Sequence, residues 1–312
     1  MLKAAIAVTV AASVACTTGG QANDVPPVDA TSPDADTDAQ VAVDASSPRP
    51  DARAEGGGFS DGSTTVEPPT PLVDPGSIAG LGLWLSADVG VTAVGTNVTA
   101  WKDRAAGVSL EGPVSPPSLA AGAINGRTAI SFGATQSMAG SFSPASPFTF
   151  RGLTIFSVTK MAPTAPTEGG RLLALTGSAQ FFGFVRTNAG PLFYGSPNFN
   201  AAPSVEYFWQ AKPTDTTFAV GVAHQLTFRA GVDAGELLVV RVDRTPTPPA
   251  RTTAFGVYPN PMSGLILGSW EDGSNRDAFH GVVGELIVYR RALTATEIAP
   301  IEDYLRARWG TP

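Results

Sequence analysis

Two segments of the sequence combine aromatic side chains with amides and carboxylates, which is the mixture that a sugar-binding site needs. An aromatic face covers the apolar side of a pyranose ring, and amide and carboxylate groups hydrogen-bond to its hydroxyls. The candidate ligand-binding residues are Asn198, Asn200, Tyr207, Trp209, Trp270, Asp272 and Asn275. The alternative stays open and is the commoner arrangement, in which the aromatic residues serve the core and the Asn and Asp residues form turns.

The chain contains two histidines and one cysteine, so few residues can form a catalytic or metal site of the His or Cys type. His224 falls in the middle of a predicted strand, and His280 falls at the start of another. Both positions favour a structural role over service in a Ser-His-Asp site. The sequence also contains no cluster of His and Cys with the spacing of a metal site.

The N-terminus has the features of an export signal. Lys3 precedes a short apolar run at residues 4–12, and residues 13–15 are small enough for cleavage. The run is too short to span a bilayer. Cys16 follows at once, in the place of the acylated cysteine of a bacterial lipobox, although Ser13 stands where lipoboxes usually carry Leu. We expect the signal to be removed and Cys16 to be lipidated, while secretion with an incidental cysteine is the alternative.

Residues 16–75 have the composition of a disordered tether. Asp, Ala, Pro, Ser, Thr and Gly dominate, so the segment cannot bury enough apolar surface to offset its conformational entropy. Eleven Asp and Glu stand against Arg49 and Arg53, whereas the whole chain has a net charge of −7. The acidity therefore belongs to the tether, and residues 76–312 are nearly neutral. Without a basic patch, the globular part is not expected to bind nucleic acid.

The globular part reads as one all-β domain. Short apolar runs rich in β-branched and aromatic residues alternate with turns that contain Gly, Asn and Asp, and no helical segment lies between successive runs. This pattern predicts a two-sheet antiparallel jelly-roll β-sandwich. The candidate strands are residues 81–85, 128–132, 153–160, 171–175, 181–186, 219–228, 236–243, 265–268 and 281–289.

One helix is predicted, at the C-terminus. Thr294 and Glu297 have the spacing of a capping box, and apolar residues then recur at helical spacing. Gly310 provides the stop. Pro300 lies within the first turns, where it predicts some irregularity.

Five segments together resemble the concanavalin A-like lectin/glucanase superfamily, in particular bacterial laminin G-like domains. They are residues 82–88 (GLWLSAD), 98–103 (VTAWKD), 124–133 (INGRTAISFG), 279–293 (FHGVVGELIVYRRAL) and 304–310 (YLRARWG). The resemblance implies two sheets of roughly a dozen strands, one of them concave. It also implies that Trp84 and Trp101 belong to the core framework. It does not imply one function, since this fold carries lectins, glycosidases and adhesion modules.

Catalysis is not favoured by the carboxylates. Glycosidases with this fold carry two glutamates on one strand in the pattern Glu-x-Asp-x-x-Glu, as acid and nucleophile. Glu285 and Glu236 instead stand alone on their strands, and Glu271-Asp272 are adjacent, which would point them to opposite faces. Scattered carboxylates brought together by the fold remain an alternative.

The sequence leaves two functional hypotheses from different classes. One is a cell-surface or secreted binding module, for a glycan in the first instance. The other is an architectural or protein-adhesion domain of the cell envelope, without a small-ligand site. The resemblance also leaves calcium open, because relatives often bind one ion and residues 272–277 (DGSNRD) are rich in oxygen donors. We expect membrane attachment only through a lipid at Cys16, and an outer-membrane or cell-surface location.

Overall fold

The computed structural model describes residues 71–105, 108–112, 115–143, 149, 152–163, 171–177, 181–187, 190–196, 207–210, 219–231, 239–247, 262–269 and 278–312. Cys16 and all residues before 71 lie outside the described residues, so the signal, the lipidation site and most of the tether stay predictions. No helix among the described residues is long and apolar enough to cross a bilayer.

The described residues form 17 strands, one short 3-10 helix at Pro75–Ser77 and one α-helix, α1, at Ala295–Trp309. The strands are β1 Leu81–Ser86, β2 Val91–Val94, β3 Asn97–Lys102, β4 Ser109–Glu111, β5 Ser118–Ile124, β6 Arg127–Phe132, β7 Met138–Ser141, β8 Leu153–Met161, β9 Leu173–Gly177, β10 Phe181–Thr187, β11 Gly190–Ser196, β12 Tyr207–Gln210, β13 Ala223–Ala230, β14 Val239–Val242, β15 Thr245–Thr247, β16 Met262–Leu267 and β17 Gly281–Tyr289.

The strand pairings divide into two sheets. In the first sheet β15, β14, β13, β8 and β17 lie in that order, and the other edge of β17 pairs with β1 and β6, with β5 beside β6. In the second sheet the order is β12, β11, β10, β9, β16, β7, β4, β3 and β2. Between the described strands, the two sheets are joined at one residue pair, Asn97 with Ser118. All of these pairings are antiparallel, as expected for a β-sandwich.

The predicted fold class is confirmed. Each of the nine candidate strands overlaps an observed strand, and β17 has the predicted bounds. The strand number implied by the resemblance was too low, because roughly a dozen were expected and 17 are present among the described residues. One hydrophobic cluster takes residues from both sheets and from α1, and Trp84 and Trp101 belong to it as predicted.

Helix α1 begins and ends at the predicted signals. The Glu297 carboxylate accepts a hydrogen bond from the Thr294 backbone N–H at 2.9 Å, which completes the capping box. Gly310 takes a left-handed conformation and its N–H donates to the Arg306 carbonyl at 2.8 Å. The helix runs without interruption through Pro300, in contrast to the expected irregularity. The helix is therefore fixed at both ends by local chemistry.

A bulge in β17 lets α1 pack closely on the first sheet. The register of β17 against β8 shifts between Val283 and Glu285, which leaves Gly284 as the extra residue. A Cβ on Gly284 would lie 2.9 Å from Cζ3 of the Trp309 ring. Only a residue without a side chain leaves room for that indole.

The described structure reaches back before residue 76. Pro75 is buried, and its carbonyl accepts a hydrogen bond of 2.8 Å from the Tyr289 hydroxyl. Asp74 caps the 3-10 helix, because its Oδ1 accepts the Gly76 N–H at 2.8 Å. These contacts fix the place where the chain enters the sandwich.

Candidate functional site

The residues predicted from the sequence as ligand contacts are only partly visible. Asn198, Asn200, Trp270, Asp272 and Asn275 lie outside the described residues. The calcium hypothesis on residues 272–277 lies outside them as well. Among the residues that the structure does describe, no group of three or more His, Cys, Asp or Glu has the arrangement of a metal site.

Tyr207 and Trp209 lie on β12, at the end of the second sheet. Their backbone pairs are Gly195 and Phe193. A role of Tyr207 and Trp209 in binding stays a prediction.

The described residues instead form a groove where the chain enters the domain. We call it the Trp84 groove. It has a volume of about 550 Å³ and is lined by Asp74, Gly76, residues 78–81, Trp84 and residues 104–105. That volume lies within the range of small-ligand sites. It joins the 3-10 helix and the start of β1 to the turn that follows β3.

Trp84 is held in place by its ring nitrogen. The Trp84 indole is 5 % exposed, and its N–H donates to Glu285 Oε1 at 2.6 Å. The Tyr304 ring meets it edge-on, with 6.2 Å between centroids. The orientation of this indole therefore depends on β17 and on α1, both about 200 residues further along the chain.

Arg104 covers the indole of Trp84. Its guanidinium carbon lies 3.5 Å from the ring centroid, within the distance for a cation–π interaction. The Arg104 backbone N–H donates to the Trp84 carbonyl at 2.9 Å. The preceding residue, the buried Asp103, accepts the N–H groups of Trp84 at 2.5 Å and of Ala105 at 2.9 Å. Backbone and side chain thus both hold Arg104 against β1.

The backbone at residues 79–80, which lines the groove, is linked to α1 through Arg291. Arg291 donates from Nε to the Ala79 carbonyl at 2.9 Å, and its two terminal nitrogens pair with the Glu297 carboxylate at 2.9 and 2.5 Å. The hydrogen bond from Arg291 lowers the pKa of Glu297 to about 2. The backbone at residues 79–80 is therefore tied to the first turn of the helix.

Glu285 is the buried centre of the support behind the groove. Its Oε1 accepts hydrogen bonds from Trp84 and from the Tyr304 hydroxyl at 2.9 Å, and its Oε2 accepts the Trp309 indole N–H at 2.5 Å. Arg308 Nε lies 3.2 Å from Oε2. Burial raises the pKa of Glu285, although these donors act in the opposite direction.

Glu285 consequently has no free edge for catalysis. Both oxygens are engaged and the side chain is fully buried against α1. The sequence placed this residue alone on its strand, and the fold surrounds it with donors from β1 and α1 instead of a second carboxylate. Its geometry is that of a structural anchor.

Arg308 extends this network to the surface. Its Nη2 donates to both oxygens of Asp88, at 2.6 and 2.7 Å. Burial acts to raise the pKa of Asp88, but hydrogen bonds from Ser86 and Arg308 outweigh it and lower that pKa. The end of α1 is thereby fastened to the turn after β1.

His224 has the structural role that its position in a strand predicted. Its Nδ1 lies 2.6 Å from Asp243 Oδ2, and its Nε2 lies 3.0 Å from the backbone of Ala219. The same Asp243 accepts the Gln225 backbone N–H at 2.9 Å through Oδ1. The pair joins β13 to the turn between β14 and β15.

Comparison with known proteins identifies the fold and no closer relationship. No protein-family model and no curated protein matches the chain. The binding domain of Paraclostridial Mosquitocidal Protein 1 gives a TM-score of 0.52 at 12 % identity, covering 75 % of this chain and 55 % of that one. The binding domain of botulinum neurotoxin serotype G gives 0.52 at 10 % identity, covering 74 % and 54 %.

A third similar structure is domain 4 of a GH43 extracellular arabinanase from Geobacillus stearothermophilus in complex with arabinotriose. Its TM-score is 0.49 at 14 % identity, and the match covers 71 % of this chain and 98 % of that one. At such identities the likeness to the two toxin domains establishes a common β-sandwich fold. This chain spans about half the length of each toxin domain.

Proposed function

We propose that this chain is a binding module and that the Trp84 groove binds carbohydrate. The observation that carries the proposal is the composition of the groove. An exposed carboxylate, Asp74, and an exposed guanidinium, Arg104, line the same open space of about 550 Å³. Sugar hydroxyls both donate and accept hydrogen bonds, so a site that offers an acceptor and several donors matches them.

The rigidity of the lining supports a role in recognition. The Asp74 carboxylate caps the 3-10 helix through the Gly76 N–H, Arg104 lies against the Trp84 ring, and the Ala79 carbonyl accepts a hydrogen bond from Arg291. A site that is already ordered loses little conformational entropy when a ligand binds. The two toxin domains with the same fold are themselves described as binding domains, which is consistent with this use of the fold.

A glycan array and a polysaccharide pull-down with the full chain test the proposal. We expect a specific glycan to be retained, and we expect Arg104→Ala and Asp74→Asn each to weaken binding about tenfold or more, because each removes a hydrogen bond to a charged group. Arg306→Ala is the matched control, since this substitution also removes one positive charge. Arg306 is exposed on α1 and does not line the groove. Binding to no glycan would overturn the proposal and favour the architectural or protein-adhesion role.

The same screen tests the ligand contacts that were predicted from the sequence. Trp209→Ala and Trp270→Ala should leave the retained glycan bound if the Trp84 groove is the site. Loss of binding in a folded Trp270→Ala protein would move the site to the segment predicted from the sequence.

We also propose that the chain is exported and anchored through a lipid on Cys16. The support is the short apolar run, the small residues at 13–15 and the position of the sole cysteine. Mass spectrometry of the N-terminal peptide should show cleavage after Ala15 and a diacylglyceryl group on the Cys16 sulfur. A Cys16→Ala variant should appear in the soluble exported fraction. An unmodified thiol at Cys16 in the mature protein would contradict the anchor.

A further inference from the structure

Arg104 has no carboxylate partner among the described residues, in contrast to Arg244, Arg291 and Arg308. Arg291 pairs with Glu297, Arg308 with Asp88, and Arg244 with Asp303 at 2.8 Å. Among the described residues no carboxylate lies within ion-pair distance of Arg104, whose contact is with the Trp84 ring. A guanidinium that stacks on an aromatic ring keeps its in-plane N–H groups directed away from the ring, where a ligand can accept them.

The stacking also decides what kind of contact a ligand can make. Because Arg104 covers the Trp84 face and the indole is 5 % exposed, a pyranose ring has no open indole to stack on. Affinity in the groove must come from polar and charged groups. Two in-plane N–H groups of a fixed guanidinium match the two oxygens of a carboxylate, and such charge-assisted pairs are about twice as strong as neutral hydrogen bonds.

Asp74 sets a limit on how much negative charge the groove accepts. Its Oδ1 is occupied by the Gly76 N–H, and Oδ2 makes no hydrogen bond with a described residue. This oxygen is suited to a sugar hydroxyl and repels a second anionic group. One carboxylate per bound sugar residue therefore fits the groove better than a densely sulfated sugar.

We infer that the Trp84 groove selects glycans that carry a carboxylate on the sugar, with Arg104 binding the carboxylate and Asp74 accepting a hydroxyl. The inference rests on the proposed function and names its ligand class, the acidic sugars of the uronate type. The domain from residue 76 onward is nearly neutral and the preceding tether is acidic, so general electrostatic attraction does not favour a polyanion. Selectivity for the acid arises locally, at Arg104.

Calorimetric titration of the full chain with matched polymers tests the inference. The probes are polygalacturonate, polymannuronate and polyglucuronate, each beside its carboxyl-reduced neutral counterpart. We expect one of the acid forms to bind about tenfold or more tightly than its neutral counterpart. In Arg104→Gln, whose amide can still lie on Trp84, that ratio should fall to near 1. Arg306→Gln should leave the ratio unchanged.

Each outcome separates the inference from the proposed function. Equal binding of acid and neutral polymers overturns the acid selectivity and leaves a carbohydrate-binding module. An acid preference that persists in Arg104→Gln, with the thermal midpoint unchanged, also overturns the assignment to Arg104. Binding of neither form by any of the three pairs overturns the inference. Failure on the glycan array as well would overturn the proposed function.

Discussion

Glu285 on the closing strand accepts the indole N–H of Trp309, near the end of α1, at 2.5 Å. The same carboxylate accepts the indole N–H of Trp84 beside the groove. One buried side chain thus fixes both the helix and a residue that lines the candidate site. The consequences can be tested by changing this side chain, its neighbours or the pH.

Replacing Glu285 with Gln should destabilise the fold by about 1–3 kcal/mol. In either orientation the new amide group would turn an N–H₂ toward at least one donor, from Trp309 or from Trp84 and Tyr304. Denaturant unfolding measures the change. The matched control is Glu111→Gln at an exposed position of β4, which should lie within about 0.5 kcal/mol of the parent protein. Equal stability of the two variants would show that the network around Glu285 contributes little.

The pH dependence of stability above pH 4.5 should contain a contribution from Glu285. Burial raises its pKa above the ordinary value of 4.5, so the unfolded chain releases this proton more readily than the folded protein. The contribution is fully present below pH 4.5 and is lost as the pH rises through the folded pKa. In Glu285→Gln that part of the decline should be missing. A decline of unchanged size would contradict a raised pKa at this position.

Glu297 should contribute to the pH dependence of stability at lower pH and in the opposite direction. Its pKa is lowered to about 2, with the hydrogen bond from Arg291 as the largest cause. Its contribution is present above pH 4.5 and is lost as the pH falls toward 2. Because the pair is partly exposed, salt should weaken the effect. Unfolding curves of Glu297→Gln between pH 2 and 4.5 should be less steep in pH than those of the parent protein, and equal steepness would argue against the pair.

Substituting Ala for Gly284 should cost about 1–3 kcal/mol, because its Cβ would lie 2.9 Å from the Trp309 ring and the helix would have to shift. Gly133→Ala is the control, since the nearest atom to its Cβ is the end of the Gln136 side chain at 3.4 Å. Thermal unfolding compares the two. A Gly284→Ala protein as stable as the control would mean that α1 packs less tightly than the structure indicates.

Arg291→Lys should reduce the affinity for the ligand. A lysine cannot both donate to the Ala79 carbonyl and hold Glu297 through two nitrogens, so the backbone at residues 79–80 loses its fixed position. Calorimetric titration with the retained glycan should show reduced affinity, with Arg306→Lys as the matched control. Unchanged affinity would show that this part of the lining does not contact the ligand.

The elements predicted well from the sequence are those with strong local signals. Strand β17 is a continuous apolar run, and α1 carries a capping box and a terminal glycine. Strands β2, β3, β4, β5, β7, β11, β12 and β15 were not predicted, because most of them are short or contain many small and polar residues. Strand β5, with the sequence SLAAGAI, pairs with β6 through backbone hydrogen bonds that composition does not indicate.

The candidate site was missed for a different reason. Trp84 was correctly predicted as a core residue, but the groove beside it depends on Arg104 and Asp74, which are far apart in sequence and have no characteristic spacing. Its supports, Glu285 and Arg291, come from the other end of the chain. Only the fold brings them together, so no local pattern could indicate this site.

The most direct test of the account is a crystal structure of the full chain with the glycan retained on the array. We predict ligand density in the Trp84 groove, with a carboxylate within hydrogen-bond distance of the Arg104 guanidinium and a hydroxyl near Asp74. Density on the face of the second sheet, or at Trp209 or Trp270, with the groove unoccupied, would contradict the account.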